Sequence, residues 1–215
     1  MSKHSVSVRE EVANGITHGI GAALSIVGLV VLLVSAIRDA DPWKIVTFAI
    51  FGTFMVLTYL SSTLYHAFPW PRVKAVFRRI DHMSIYCFIA ATYTPFLLLN
   101  LRDGSGWLLF GIVWTLAISG VVFKLFHIDR YPVSSVLFYV GMGWIVVFAG
   151  QEVMTHVPTT GIVLLVAGGL AYTFGVIFYF FERMPYNHAI WHCFVMAGTA
   201  CHYFAVLFGA HGSSV

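Results

Sequence analysis

Seven apolar runs, each long enough to cross a lipid bilayer, leave this chain little choice of fold: 15–37, 43–66, 82–100, 107–125, 133–150, 159–181 and 187–209. A spanning helix needs about 20 predominantly apolar residues. Hydrocarbon offers no partner to backbone N–H and C=O groups, so such runs cross as helices. Pro, Gly and charge separate them at 38–42, 69–79, 102–106, 127–132, 151–158 and 182–186, which are read as connections. The seven runs use up 215 residues, so no separate soluble domain is expected. The chain is 59% hydrophobic and 10% charged, against about 25% charged in a soluble domain. The reading is an all-α integral membrane protein with seven transmembrane helices over 15–209, a short polar N-terminal segment 1–14 and a tail 210–215. The N-terminal segment is too polar for a secretory signal, and the run after it is expected to remain as an anchor.

Orientation follows from basic residues counted by loop. Lys3, Arg9, Arg72, Lys74, Arg78, Arg79, Lys124, Arg130 and Arg183 are nine on the N-terminal side; Arg38, Lys44 and Arg102 are three on the other. The N-terminus is therefore expected in the cytoplasm and the C-terminus outside. Four basic residues in the second connection favour anionic head groups. With a net charge of +3 spread over short loops, no surface suits nucleic acid. Cys87, Cys193 and Cys201 lie in apolar runs without metal-type spacing and are read as buried thiols. Gly15, Gly19, Gly141, Gly143, Gly168, Gly169 and Gly198 are assigned to close helix packing, and Trp43, Trp70 and Trp107 to the interfacial belt.

Function in a membrane protein shows in polar groups that hydrocarbon penalises. These are His18 at the start of run 1, His66 at the end of run 2, Asp81 and His82 at the start of run 3, Lys124 and His127 closing run 4, and His188, His192 and the deeper His202 in run 7. Starts of odd runs and ends of even runs face the same side of the bilayer. All of these groups except His202 therefore share one side, whichever way the chain is inserted. His188 and His192, four apart, share a helical face about 6 Å apart along the axis. His66 would supply a third imidazole, and three protein ligands with a fourth position left for water is the pattern of a catalytic zinc. Two interfacial histidines bonded to neighbouring helices is the other reading of the same pair. Ser62, one turn before His66, and Asp81 are placed to hydrogen-bond a ligand imidazole or a water at the metal. Asp81 is alternatively an N-cap of run 3. His82 is a rival ligand, although it projects roughly 100° from Asp81. His18 either approaches the site from run 1 or serves as polar packing, and His202 is read as a helix-to-helix hydrogen bond or, alternatively, as a proton or substrate contact. His4, His127, His156 and His211 are read as interfacial or solvated.

With these residues in view the chain resembles the progestin and adipoQ receptor family, within it the prokaryotic hemolysin III branch. The resemblance is carried by ExxNxxTH at 11–18, SxxxH at 62–66, RRIDH at 78–82 and HAIWH at 188–192. It covers nearly the whole chain. It implies zinc ligation by His66, His188 and His192, with Ser62 and Asp81 as polar groups around a water, and a bacterial inner membrane. The family is similar to alkaline ceramidases in motif pattern, which implies metal-assisted hydrolysis of a lipid amide.

Two functions are expected from these readings. One is a zinc-dependent lipid amidase near the cytoplasmic face, with Asp81 moving the proton; Trp114, Phe174 and Phe178 are read either as core packing or as lining of a cavity for the lipid tail. The other is a non-enzymatic membrane sensor or regulator in which zinc ties runs 2, 3 and 7 together. Ion-coupled transport is disfavoured because no Asp, Glu, Lys or Arg lies near the middle of a run. The orientation is directly testable: alkaline phosphatase fused after Val215 is expected to be active and a fusion at the second connection inactive, and the reverse pattern would invert the topology.

Overall fold

In the structure, a computed structural model describing residues 7–128 and 130–211, every regular element is helical. Lys3 and His4, Asp129 in the fourth connection, and tail residues 212–215 lie outside the described residues. The elements are α1 Val8–Arg38, α2 Pro42–Ala67, α3 Pro71–Pro95 continued by a π turn Phe96–Asn100, α4 Gly106–Phe126, α5 Pro132–Gly143, α6 Gly150–His156, α7 Thr159–Phe180 and α8 Asn187–Gly209. A 3₁₀ turn, Ile145–Ala149, joins α5 to α6, so eight helices build seven spans.

Helix α1 starts well before the first apolar run because Ser7 and Glu10 form a reciprocal capping box, the Glu10 N–H donating to Ser7 Oγ (3.3 Å) and the Ser7 N–H to Glu10 Oε2 (2.8 Å). Glu10 Oε1 also accepts from the backbone N–H of Tyr186 (3.1 Å). Tyr186 has φ 58° immediately before α8, a conformation costly for a bulky residue. One carboxylate thus registers the start of α1 against the start of α8. Between α1 and α2, Lys44 binds Asp39 and holds its carboxyl below the usual carboxylate range, while Asp41 caps α2 by accepting from the N–H groups of Trp43 and Lys44.

The second connection is shorter than the sequence suggests. Pro71 takes the first position of α3, and its fixed φ suits that place. The basic stretch through Arg79 is helical, its long side chains able to carry charge to the interface. Asp81 therefore lies ten residues inside α3 and is not its N-cap. The α3 span is the most buried of the seven, and the others expose much of their surface to lipid. Packing runs α1 on α2, α2 on α3 and α3 on α4, with α7 on α8 and α8 back on α1. Phe48, Phe51, Met55, Tyr86, Leu99 and Val113 fill the centre. At the end away from the histidine cluster, Asn100 Nδ2 donates to the carbonyls of His156 and Gly209, both at 3.0 Å, joining spans 3, 5 and 7.

The fifth span is broken rather than continuous. Its freed backbone groups are met by Tyr93, whose hydroxyl donates to the Gly143 and Met142 carbonyls (2.6 and 3.0 Å) and accepts from the Val146 N–H (3.2 Å). Trp144 Nε1 donates to Thr173 Oγ1 (3.1 Å) from the same turn. Most of the stretch 151–158, read from its polarity as a connection, belongs to the helix α6.

Only part of the glycine reading holds. A Cβ on Gly168 would lie 2.3 Å from His202 Cδ2, and one on Gly198 would lie 2.9 Å from Tyr172, so both permit close approach. Gly141 and Gly143 have open space around them and instead flank the break. Cys193 is exposed, and Cys87 and Cys201 are half-buried, so none of the three is a fully buried thiol.

A Cβ on Gly120 would sit 2.3 Å from the buried Tyr86 ring, whereas Gly111 on the same helix has nothing within 4 Å. Gly120→Ala is expected to destabilise by about 1–3 kcal/mol and Gly111→Ala to be neutral or to stabilise by up to about 1 kcal/mol, read as thermal midpoints in detergent.

Candidate metal centre

The centre lies at the end of the bundle where α2 finishes and α8 begins. His66 sits on the last turn of α2, and His188 and His192 sit on the first two turns of α8. Their ligand-capable atoms all lie within 4.8 Å of one another. Ring centroids are 5.2 Å apart for His66 and His188, 5.4 Å for His66 and His192, and 4.5 Å for His188 and His192. His192 is fully buried and His66 nearly so.

Hydrogen bonding fixes what two of these rings present to each other. His66 Nδ1 lies 2.8 Å from Glu11 Oε2, and that carboxylate also accepts from Lys74 Nζ at 3.0 Å. A carboxylate beside a lysine accepts, so Nδ1 carries the hydrogen and Nε2 keeps its lone pair. Thr17 uses its one hydroxyl hydrogen on the carbonyls of Asn14 (2.9 Å) and Ala13 (3.0 Å). Thr17 Oγ1 therefore accepts from His192 Nδ1 at 3.1 Å, and Nε2 of His192 is likewise a bare acceptor. Nε2 of His66, of His188 and of His192 is buried with no protein partner. Buried polar atoms without partners are uncommon and costly. A cation relieves that penalty. Neutral imidazole nitrogens suit zinc, and fixing of the far ring nitrogen by a carboxylate or another acceptor is typical of metal-binding histidines.

Ser62 and Asp81 stand beside this cluster rather than within it. Ser62 Oγ is 2.6 Å from His18 Nδ1, and the same hydroxyl shares a hydrogen bond with the Asp81 carboxyl. His18 is buried, stacks on His192 with centroids 3.4 Å apart and meets Tyr59 edge-on. It is part of the site wall and not remote packing. His82 is outside the three-histidine group; its carbonyl accepts from Tyr139. His202 lies farther along α8, with Nε2 3.1 Å from the Leu165 carbonyl of α7.

A cavity of about 250 Å³ opens from this end of the bundle, with Asp81, His18 and His82 at one end and Leu101 and Val157 among its other walls. Its lining is otherwise mostly apolar and comes largely from α3 and from spans 5, 6 and 7. Trp114, Phe174 and Phe178 are not among its walls. Trp114 donates from Nε1 to Thr94 Oγ1, Phe174 is exposed toward lipid, and Phe178 stacks on Phe194.

Glu11 and Thr17 were not singled out by sequence reasoning as partners of the histidines. Both lie in the 11–18 segment, where Glu11, Asn14 and His18 fall at i, i+3 and i+7 on one face of α1. That spacing of polar groups in an apolar helix was the available signal.

Comparison with known proteins shows the family to which the chain belongs. Residues 6–203 match the family described as "Haemolysin-III related". The chain is 46% identical to "Hemolysin-3" of Bacillus cereus, over 97% of this chain and 95% of that protein. It is 46% identical to "Hemolysin-3 homolog" of Bacillus subtilis (strain 168), over 94% and 95%. It is also 33% identical to "Monocyte to macrophage differentiation factor" of Homo sapiens, a progestin and adipoQ receptor family protein, over 92% of this chain and 83% of that one. With seven membrane-spanning helices and a match along almost its whole length, this chain belongs to the haemolysin III-related family.

Proposed function

We propose that this protein is a zinc-dependent hydrolase of lipid amides in a bacterial plasma membrane, with its site near the cytoplasmic face. The observation that carries the reading is the set of three buried Nε2 atoms without partners, two of them held as acceptors by Glu11 and Thr17, beside a carboxyl that opens onto an apolar cavity. His66, His188 and His192 hold the metal, with Glu11 and Thr17 fixing the rings of His66 and His192. The chemistry zinc supplies when bound is Lewis acidity, polarising an amide carbonyl and acidifying a water toward neutral pH.

Asp81 takes the proton from the attacking water and returns it to the leaving amine. The Ser62 hydroxyl orients the Asp81 carboxyl, and Ser62 also holds the His18 ring. The apolar walls take the lipid chain and exclude bulk water, which strengthens the electrostatic interactions inside.

Elemental analysis of detergent-purified protein is expected to give one zinc per chain, lost in His66→Ala and His192→Ala. Thr17→Val is expected to weaken zinc binding by about 10–100-fold. Asp81→Ala is expected to keep zinc and lose hydrolysis of ceramide-type amides by about 10²–10⁴-fold. Zinc retained in His192→Ala would refute the ligand assignment. Zinc without turnover on any lipid amide would replace the enzyme with a sensor or regulator in which the ion ties α2 to α8.

A further inference from the structure

The basic start of α3 is the charged feature that the proposed chemistry leaves mostly unused, and its four cations do not share one fate. Lys74 donates to Glu11 Oε2 and to the Tyr65 carbonyl (3.0 and 3.1 Å), and Arg78 is half-buried. Arg72, Ala75, Val76, Arg79 and Ile80 are all exposed. They fall at i, i+3, i+4, i+7 and i+8, which is one face of a helix. Val73 and Phe77, off that face, are half-buried. Among the described residues neither Arg72 nor Arg79 has an ion pair, a hydrogen bond or a ring contact.

The level of this face follows from length. The third span runs over 30 residues from Pro71 to Asn100, about 45 Å of helix against about 30 Å of hydrocarbon. Residues 82–100 carry no Lys, Arg, Asp or Glu, so the surplus of about ten residues emerges at the Pro71 end. Trp70, exposed just before the helix, is the residue type of the interfacial belt. Long side chains on a helix lean toward its N-terminus, here toward the head groups, which lets Arg79 carry its charge outward from the hydrocarbon edge.

Electrostatics leave the face incomplete by itself. The first turn of α3 holds no acidic residue and no side chain caps it, and the positive end of the helix dipole opposes Arg72 there. An anion from outside the protein offsets both. A guanidinium fork matches phosphate oxygens in pairs, and the exposed Val76 and Ile80 beside the arginines suit the acyl chain below a phosphate. A soluble acidic protein would meet the arginines but not the apolar residues, which lie on the same face as it enters the hydrocarbon.

We infer that Arg72, Val76, Arg79 and Ile80 form a binding face for one anionic phospholipid of the adjacent leaflet, its phosphate held by the two arginines. The inference goes beyond the reading of the metal centre and stands whether or not that centre is catalytic.

Delipidated protein in detergent is titrated with dioleoylphosphatidylglycerol and with dioleoylphosphatidylcholine, and bound lipid is counted by native mass spectrometry. The anionic lipid is expected to bind about 30-fold more tightly, the scale of two basic residues at an anionic surface. The preference is expected to vanish in the double variant Arg72→Ala/Arg79→Ala and to survive in part in Arg72→Lys/Arg79→Lys, which keeps the charge and loses the fork. Arg130→Ala/Arg183→Ala, which removes two charges from other connections on the same side, is expected to keep it. Millimolar inorganic phosphate is expected not to displace the lipid. Equal affinity for the two lipids in the unmodified protein would overturn the inference, as would a preference that survives loss of Arg72 and Arg79. Equal loss in the Arg130 and Arg183 variant would replace this face with general positive charge, and displacement by phosphate would replace the lipid with a free anion.

Discussion

Three imidazoles, each with a buried Nε2 that no protein group meets, gather where α2 ends and α8 begins, an arrangement that a bilayer protein maintains only if something holds the rings in place. Here the holding comes from outside the trio. Glu11 on α1, itself bound to Lys74 of α3, fixes His66 of α2, and Thr17 of α1 fixes His192 of α8. Helix α1 supplies no member of the trio, yet it touches two of its three rings and reaches α8 again through Glu10 and Tyr186. The closure of the bundle, α8 against α1, and the convergence of the histidines are therefore one constraint seen from two sides.

Burial also explains why the site has two layers. Ser62 bonds to His18 and Asp81 and to none of the three converging histidines. His18 stacks on His192, so the hydroxyl acts on the cluster through a ring that is not in it. Asp81 is among the residues that line the cavity.

Hydropathy alone made the number of spans and their approximate limits legible, because a bilayer imposes a length that few other environments demand. It misplaced the ends where charge and helix coexist: the basic start of α3 reads as a loop, yet Pro71 opens a helix there. The broken fifth span was invisible, since Ile145–Ala149 is as apolar as any helical stretch and only the tertiary contact with Tyr93 marks it. His66, His188 and His192 were found by parity and spacing, which depend on chain order. Glu11, Thr17 and the contact of His18 with His192 were missed because they depend on which face of α1 turns inward, and a nearly uniformly apolar helix does not announce that. Of the two readings of the aromatics, lining the cavity does not hold for any of the three, and Trp114 packs against the core while Phe174 is exposed.

The hydroxyl of Tyr93 meets three main-chain groups at the interruption of the fifth span. A helix opened inside a membrane ordinarily draws water to its unpaired amides and carbonyls. With a phenol supplying those bonds, these main-chain groups have partners that do not depend on water. Gly143, Trp144, Ile145, Val146 and Ala149 at this interruption line the cavity, so the cavity wall is built partly from backbone whose bonding Tyr93 completes.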